Sequence, residues 1–137
     1  MPSSLQGEGE DEVKSKEMKY ISNQIGEWLV KKDYSKKIIF SPEDFVQTGH
    51  MLQLVTIPPQ TKQRVHHHTQ QTEVFYILEG KCMMYFNEQE FIARPGDSYI
   101  CEPGDKHYLW NKTDKEFKLV VFKVDYPEND DTVWEEN

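Results

Sequence analysis

A chain of 137 residues is long enough for one domain that buries its own core, so two cysteines are not needed as staples. Its formal charge of -8 and the lack of any basic stripe argue against nucleic-acid binding. An apolar share of 36% with a mean hydropathy of -0.79 is low for a globular chain and points to solvated ends.

The acids show where those ends lie. Residues 1–17 carry Glu8, Glu10, Asp11, Glu12 and Glu17 against Lys14 and Lys16 and read as a flexible acidic tail. Met1-Pro2-Ser3-Ser4 leads into acids rather than a basic and then apolar run, so no secretory signal is visible. No stretch approaches the roughly 18 uninterrupted apolar residues of a membrane span. A soluble, cytoplasmic protein is therefore expected, with Cys82 and Cys101 as small buried thiols in a reducing compartment.

Residues 18–49 form an N-terminal arm of mixed signals. Ile21, Ile25, Trp28 and Leu29 recur at helical spacing, while Gly26 and the β-branched residues leave a strand or an irregular arm equally open. Ile38-Ile39-Phe40 reads as a strand. Ser41-Pro42-Glu43-Asp44 resembles a first helical turn with Ser41 as cap.

From residue 50 to 124 short β-type runs alternate with turn residues: 52–57, 73–78, 81–86, 90–93, 98–101, 107–110 and 117–124. This is the spacing of an all-β sandwich or barrel. Several runs are apolar on both faces, as expected where the outside meets a partner, so a homodimer is plausible. Residues 125–137 hold six acids and no base and read as an acidic C-terminal tail. The 13 acids and 14 bases of residues 18–124 nearly cancel, so charge does not reveal the sign of a ligand.

Chemistry concentrates in two groups. His66 and His68 are two apart, so on a strand both imidazoles leave one face, about 6.6 Å apart at the backbone, and can converge on one ion. Glu73, across a turn, can add an anionic oxygen, and Gly80 permits the chain to fold back. Gly96, Gly104, His107 and Asn111 form the second group, in which a Gly-rich turn delivers a third imidazole. Parity places Arg64 on the face of His66 and His68 if that strand is regular, where it would meet an anionic substrate group; a solvated Arg at the strand's start is the other reading. Phe75 and Ile77 share the face of Glu73, and Leu109 that of His107, as an apolar wall. His67 should leave the opposite face, and His50 stands alone.

These residues resemble the cupin superfamily. Its first motif is matched by His66, His68, Glu73 and Gly80, and its second by Gly96, Gly104, His107 and Asn111. Gln60 stands where the first motif opens with Gly, and Glu102 where the second has Pro, with Pro103 one place on. The resemblance implies a double-stranded β-helix, or jelly-roll, barrel over residues 50–124. It also implies a divalent ion, iron, manganese, nickel, cobalt or zinc, held by His66, His68, Glu73 and His107. A metal-dependent enzyme acting on a small organic molecule is then expected, of dioxygenase, isomerase, decarboxylase or lyase type. The alternative is a non-catalytic module that binds a small ligand or metal.

Overall fold

The computed structural model describes residues 18–135. Its elements are β1 (Leu29–Val30), β2 (Ser35–Phe40), a 3-10 turn (Pro42–Asp44), β3 (Met51–Ile57), β4 (Thr61–Lys62), β5 (His66–His68), β6 (Thr72–Glu79), β7 (Cys82–Phe86), β8 (Gln89–Ala93), β9 (Ser98–Cys101), β10 (His107–Asn111), β11 (Phe117–Val124) and β12 (Thr132–Trp134). They pair antiparallel into two sheets of a jelly-roll, in the orders β1-β2-β3-β11-β6-β9 and β12-β5-β10-β7-β8, with β4 also on β10. No helix among the described residues is long and apolar enough to cross a membrane.

Strand β11 shows why the sheets face each other. Phe117, Leu119, Val121 and Lys123 alternate with more exposed residues, so one face of the pleat is buried. Phe117 and Leu119 pack with Val55, Ile57, Phe75, Ile77, Met84 and Leu109 between the sheets. Each such side chain contributes about 1.5–3 kcal/mol by leaving water, so the apolar layer supports the barrel by itself. Cys82 and Cys101 are buried and free, as expected. Gly80 ends β6 at φ +86°, and a Cβ there would lie 2.8 Å from the Glu116 carbonyl oxygen, so no larger residue fits the turn.

The two motif departures are absorbed locally. Gln60 takes φ +55°, a strained value for a residue with a Cβ, and its amide Nε2 donates to the carbonyls of Lys112 at 3.0 Å and Thr113 at 3.2 Å. Glu102 keeps an N–H that proline would lack, and donates it to Asp105 Oδ2 at 2.9 Å. Asn111, fully buried, donates to the carbonyls of Ile57, Pro58 and Lys115 and so ties β10 to the end of β3. It is a brace rather than a site residue.

In the N-terminal arm the structure decides among the readings left open, and the C-terminal stretch differs from the tail expected. The helical spacing of Ile21, Ile25, Trp28 and Leu29 produces no helix: Gly26 turns at φ +101° against the stem of Lys37, and Leu29–Val30 starts a two-stranded ladder with β2. Strand β2 then extends the sheet on β3. Ser41 does start a turn, its N–H donating to Asp44 Oδ2 at 2.9 Å, but only three residues follow. The acidic C-terminal stretch supplies strand β12, which pairs Thr132, Val133 and Trp134 with His68, His67 and His66. Among its acids, Asp125, Asp130 and Asp131 serve as hydrogen-bond acceptors. Asp131 receives the backbone N–H groups of Gln70 and Gln71 and the side-chain amide of Gln71, and these bonds outweigh burial in holding its carboxyl below the usual range. Residues 1–17 lie outside the described residues.

Candidate metal centre

Strand β5 lies between β12 and β10, and this placement gathers the imidazoles. Ligand-capable atoms of His66, His68 and His107 all lie within 4.8 Å of one another, and all three residues are buried. Glu73 enters from the facing sheet, with Oε1 2.9 Å from His68 Nε2 and 3.4 Å from His107 Nε2. The four residues singled out from the two motifs thus meet in one cavity.

Each imidazole is oriented through its other nitrogen. His66 Nδ1–H donates to the Arg64 carbonyl at 2.9 Å, and His107 Nδ1–H to the Asp105 carbonyl at 3.0 Å. The Thr132 hydroxyl donates to Asp130 Oδ1 at 2.7 Å, which leaves its lone pair for His68 Nδ1–H at 2.9 Å. In all three rings the unprotonated Nε2 is then the one available for coordination, the arrangement by which outer partners fix a metal-binding histidine. It also brings the Nε2 lone pair of His68 against a carboxylate oxygen, a contact that becomes favourable only with a proton or a cation between them. The donor set fits a divalent cation.

Electrostatics point the same way. Burial by itself pushes the Glu73 carboxyl up; when a proton sits on Nε2 in place of a cation, the hydrogen bonds from His107 and His68, with the charge of Lys123, outweigh it and hold it well below the usual range. Glu73 is a buried anion. Burial, followed by the proximity of His107, lowers His66 from 6.5 to about 3, so that ring is neutral at ordinary pH. Cys101 Sγ lies 3.1 Å from His107 Nδ1, but burial and then the Glu73 charge push its thiol up and keep it protonated.

The His66 shift has a measurable consequence. Unfolded chains take up this proton near 6.5 and folded ones only near 3, so the stability associated with neutral His66 is complete above 6.5 and is lost as pH falls towards 3. Chelator-treated protein should therefore melt at lower temperature on going from about pH 7 to pH 4. In His66→Gln the decline should be shallower. Equal slopes would show that His66 is protonated in the folded state.

Other expectations are corrected. Arg64 does not aim into the barrel, because residues 63–65 are not in a regular strand and parity does not carry over to it. Its Nε pairs with Asp33 Oδ2 at 3.1 Å, its N–H donates to the same oxygen at 2.8 Å, and its guanidinium lies 4.0 Å from the Trp134 ring centre. Phe75 and Leu109 line the cavity, whereas Ile77 lies in the core without lining it. His67 pairs with Val133 away from the cluster, and His50 packs against Phe45 and Phe122.

Among the lining residues the sequence reading missed are Lys36, Gln53, Gln63, Lys123, Tyr34 and Trp134. Strand alternation could have found Lys123, two residues beyond Val121 on the inner face. Trp134 packs on His66 with ring centres 4.4 Å apart and on Tyr34 at 6.2 Å. Tyr34 stays protonated, its phenol pushed up to about 12 by burial and then by Asp130 and Asp33.

Comparison with known proteins agrees with this geometry. Residues 53–123 match the cupin domain family. The chain is 26% identical over 85 residues to an oxalate-binding protein of Thermotoga maritima, covering 61% of this chain and 70% of that protein. In structure it resembles the polyketide cyclase RemF of Streptomyces resistomycificus, with TM-score 0.72, 15% identity and 88% of each chain covered. It also resembles the cupin-2 domain protein Rru_A2000 of Rhodospirillum rubrum, with TM-score 0.70, 14% identity and coverage of 88% of this chain and 81% of that one. With both motifs, the two-sheet barrel and a match over more than half its length, the chain belongs to the cupin family.

Proposed function

We propose that this chain is a metal-dependent cupin enzyme acting on a small organic molecule, with His66, His68, His107 and Glu73 as the ligands of one divalent ion. The observation that carries the reading is the common orientation of the three imidazoles, each donating through Nδ1 and turning Nε2 towards the cavity beside a buried carboxylate. A divalent ion bound there supplies a Lewis acid that holds and polarises a substrate oxygen. Iron, manganese, nickel, cobalt and zinc share such ligands, and availability decides among them. Phe75, Leu109, Leu119 and Val121 form an apolar wall that excludes water from one side. Lys36, Gln53, Gln63 and Lys123 provide polar groups that orient a bound molecule. The named activity of RemF, a polyketide cyclase, supports an enzymatic reading of this barrel.

The second reading is a non-catalytic module, and the oxalate-binding name of the Thermotoga maritima relative favours it. Metal analysis of purified protein, followed by a turnover screen with and without chelator, separates the two. Bound metal with chelator-sensitive turnover supports the enzyme. Saturable ligand binding without turnover supports the module, and protein that takes up no divalent ion overturns the metal-dependent enzyme.

A further inference from the structure

Beside the His/Glu cluster the cavity is polar in a way the ligand set does not use. Lys36 on β2, Gln53 on β3 and Lys123 on β11 all line it. The ladder explains the grouping, because directly paired residues share a face: Lys36 opposes Val55, Val55 opposes Leu119, Gln53 opposes Val121, and Lys123 opposes Glu73. Two cations and an amide therefore project from the same side of one sheet.

None of the three is fully matched by the protein. Lys123 is 6% exposed, and its nearest carboxylate oxygen, Glu73 Oε2, is 3.8 Å away, beyond hydrogen-bond reach. Lys36 makes no ion pair among the described residues, and burial, then the charges of Lys123 and Lys31, lower its pKa. Gln53 is 4% exposed, and its Oε1 has no hydrogen-bond partner. A buried acceptor without a donor costs stability and marks a place where a ligand donor would be favourable. Two carboxylates face the cavity. Asp130 is engaged by the N–H and hydroxyl of Thr132, and Glu73 is turned to the histidines. With a divalent ion in place the cavity carries excess positive charge, which selects an anion.

We propose that Lys36, Lys123 and Gln53 form a subsite for a small hydroxycarboxylate, whose carboxylate lies at the two ammonium groups and whose hydroxyl donates to Gln53 Oε1. This rests on the metal reading above for the neighbouring His/Glu cluster only. The lysines and the orphaned amide belong to the chain whether or not an ion is bound.

Calorimetric titration with glycolate, lactate, malate and tartrate, with glycolamide and lactamide as neutral comparators, tests the subsite. At least one acid should bind, and the acids should bind at least about tenfold more tightly than the amides. Lys36→Met should weaken acid binding about tenfold or more with bound metal per chain unchanged, and Lys36→Arg should restore most of it. Gln53→Leu should remove the preference for lactate over propionate. Circular dichroism checks that the variants fold. Unchanged acid affinity in folded Lys36→Met, or no acid binding by the wild type, overturns the subsite. Metal content keeps the two readings apart. Protein without metal that binds acids through Lys36 refutes only the metal centre, and metal-bearing protein indifferent to acids refutes only the subsite.

Discussion

His107→Ala should lose most of the bound metal, with affinity reduced by more than the roughly 10- to 100-fold seen when only an outer partner of a ligand is removed. His107 is the one imidazole delivered by β10, so its loss leaves His66 and His68 on a single strand with Glu73 opposite. Glu73→Gln should act in the same direction through charge, since it removes the only anionic ligand and leaves two positive charges uncompensated by the ligands. The barrel should survive both changes. Its apolar layer of Phe117, Leu119, Ile57 and Ile77 does not depend on the ion, unlike a domain whose metal-binding energy is its folding energy. The melting temperature should drop only by the lost linkage to bound metal. His67→Ala is the control, because His67 leaves the other face of β5. Mass-spectrometric metal content decides the matter: full occupancy in His107→Ala, or loss in His67→Ala alone, would mean that the ion is held elsewhere.

Removing residues 129–137 should have a larger effect on stability. The deletion takes away the β12 ladder, the Trp134 contact with His66, and the Asp131 carboxylate that receives three N–H groups from Gln70 and Gln71. Gln71 is fully buried, and each buried polar group left unpaired costs about 1–3 kcal/mol. A total near 3 kcal/mol or more corresponds to a melting temperature lower by about 10 °C. Trimming residues 1–16 should leave it unchanged, as the acidic composition of that stretch suggests. Thr132→Val isolates the effect on the site, because it keeps the strand and removes only the hydroxyl under His68. Metal affinity should fall about tenfold, as for loss of an outer partner. A truncated chain that melts like the full one would show that β12 is not held in solution.

The barrel strands from residue 50 to 124 were legible because their signals are local: alternation along β11, turn residues between runs, and a glycine where a Cβ cannot fit. The four proposed ligands were legible because two short motifs carry them and strand parity brings their side chains together. The cavity's other polar residues were harder to read. Lys36 lies just before the Ile38-Ile39-Phe40 run in an arm of mixed signals, and Gln53 looks ordinary within an apolar run. Arg64 failed for a definite reason, since parity requires a regular strand and the ladder begins at His66. The C-terminal stretch was misread because composition counts Asp131 as a charge and cannot see that it is an acceptor for the turn before β6.

Strand β12 is also the last of the described strands in chain order. Thr132 and His68 are 64 residues apart in sequence yet share a hydrogen bond, and every other described strand precedes β12 in the chain. During synthesis His66 and His68 precede Trp134 and Thr132 by 68 and 64 residues, so over that stretch His68 lacks the Thr132 hydroxyl and His66 its covering ring. A nascent chain stalled before residue 132 would expose two loosely oriented imidazoles, able to pick up whichever metal is abundant but unable to grip it tightly. Closure by the last strand is thus the step at which the proposed ligands acquire their fixed orientation.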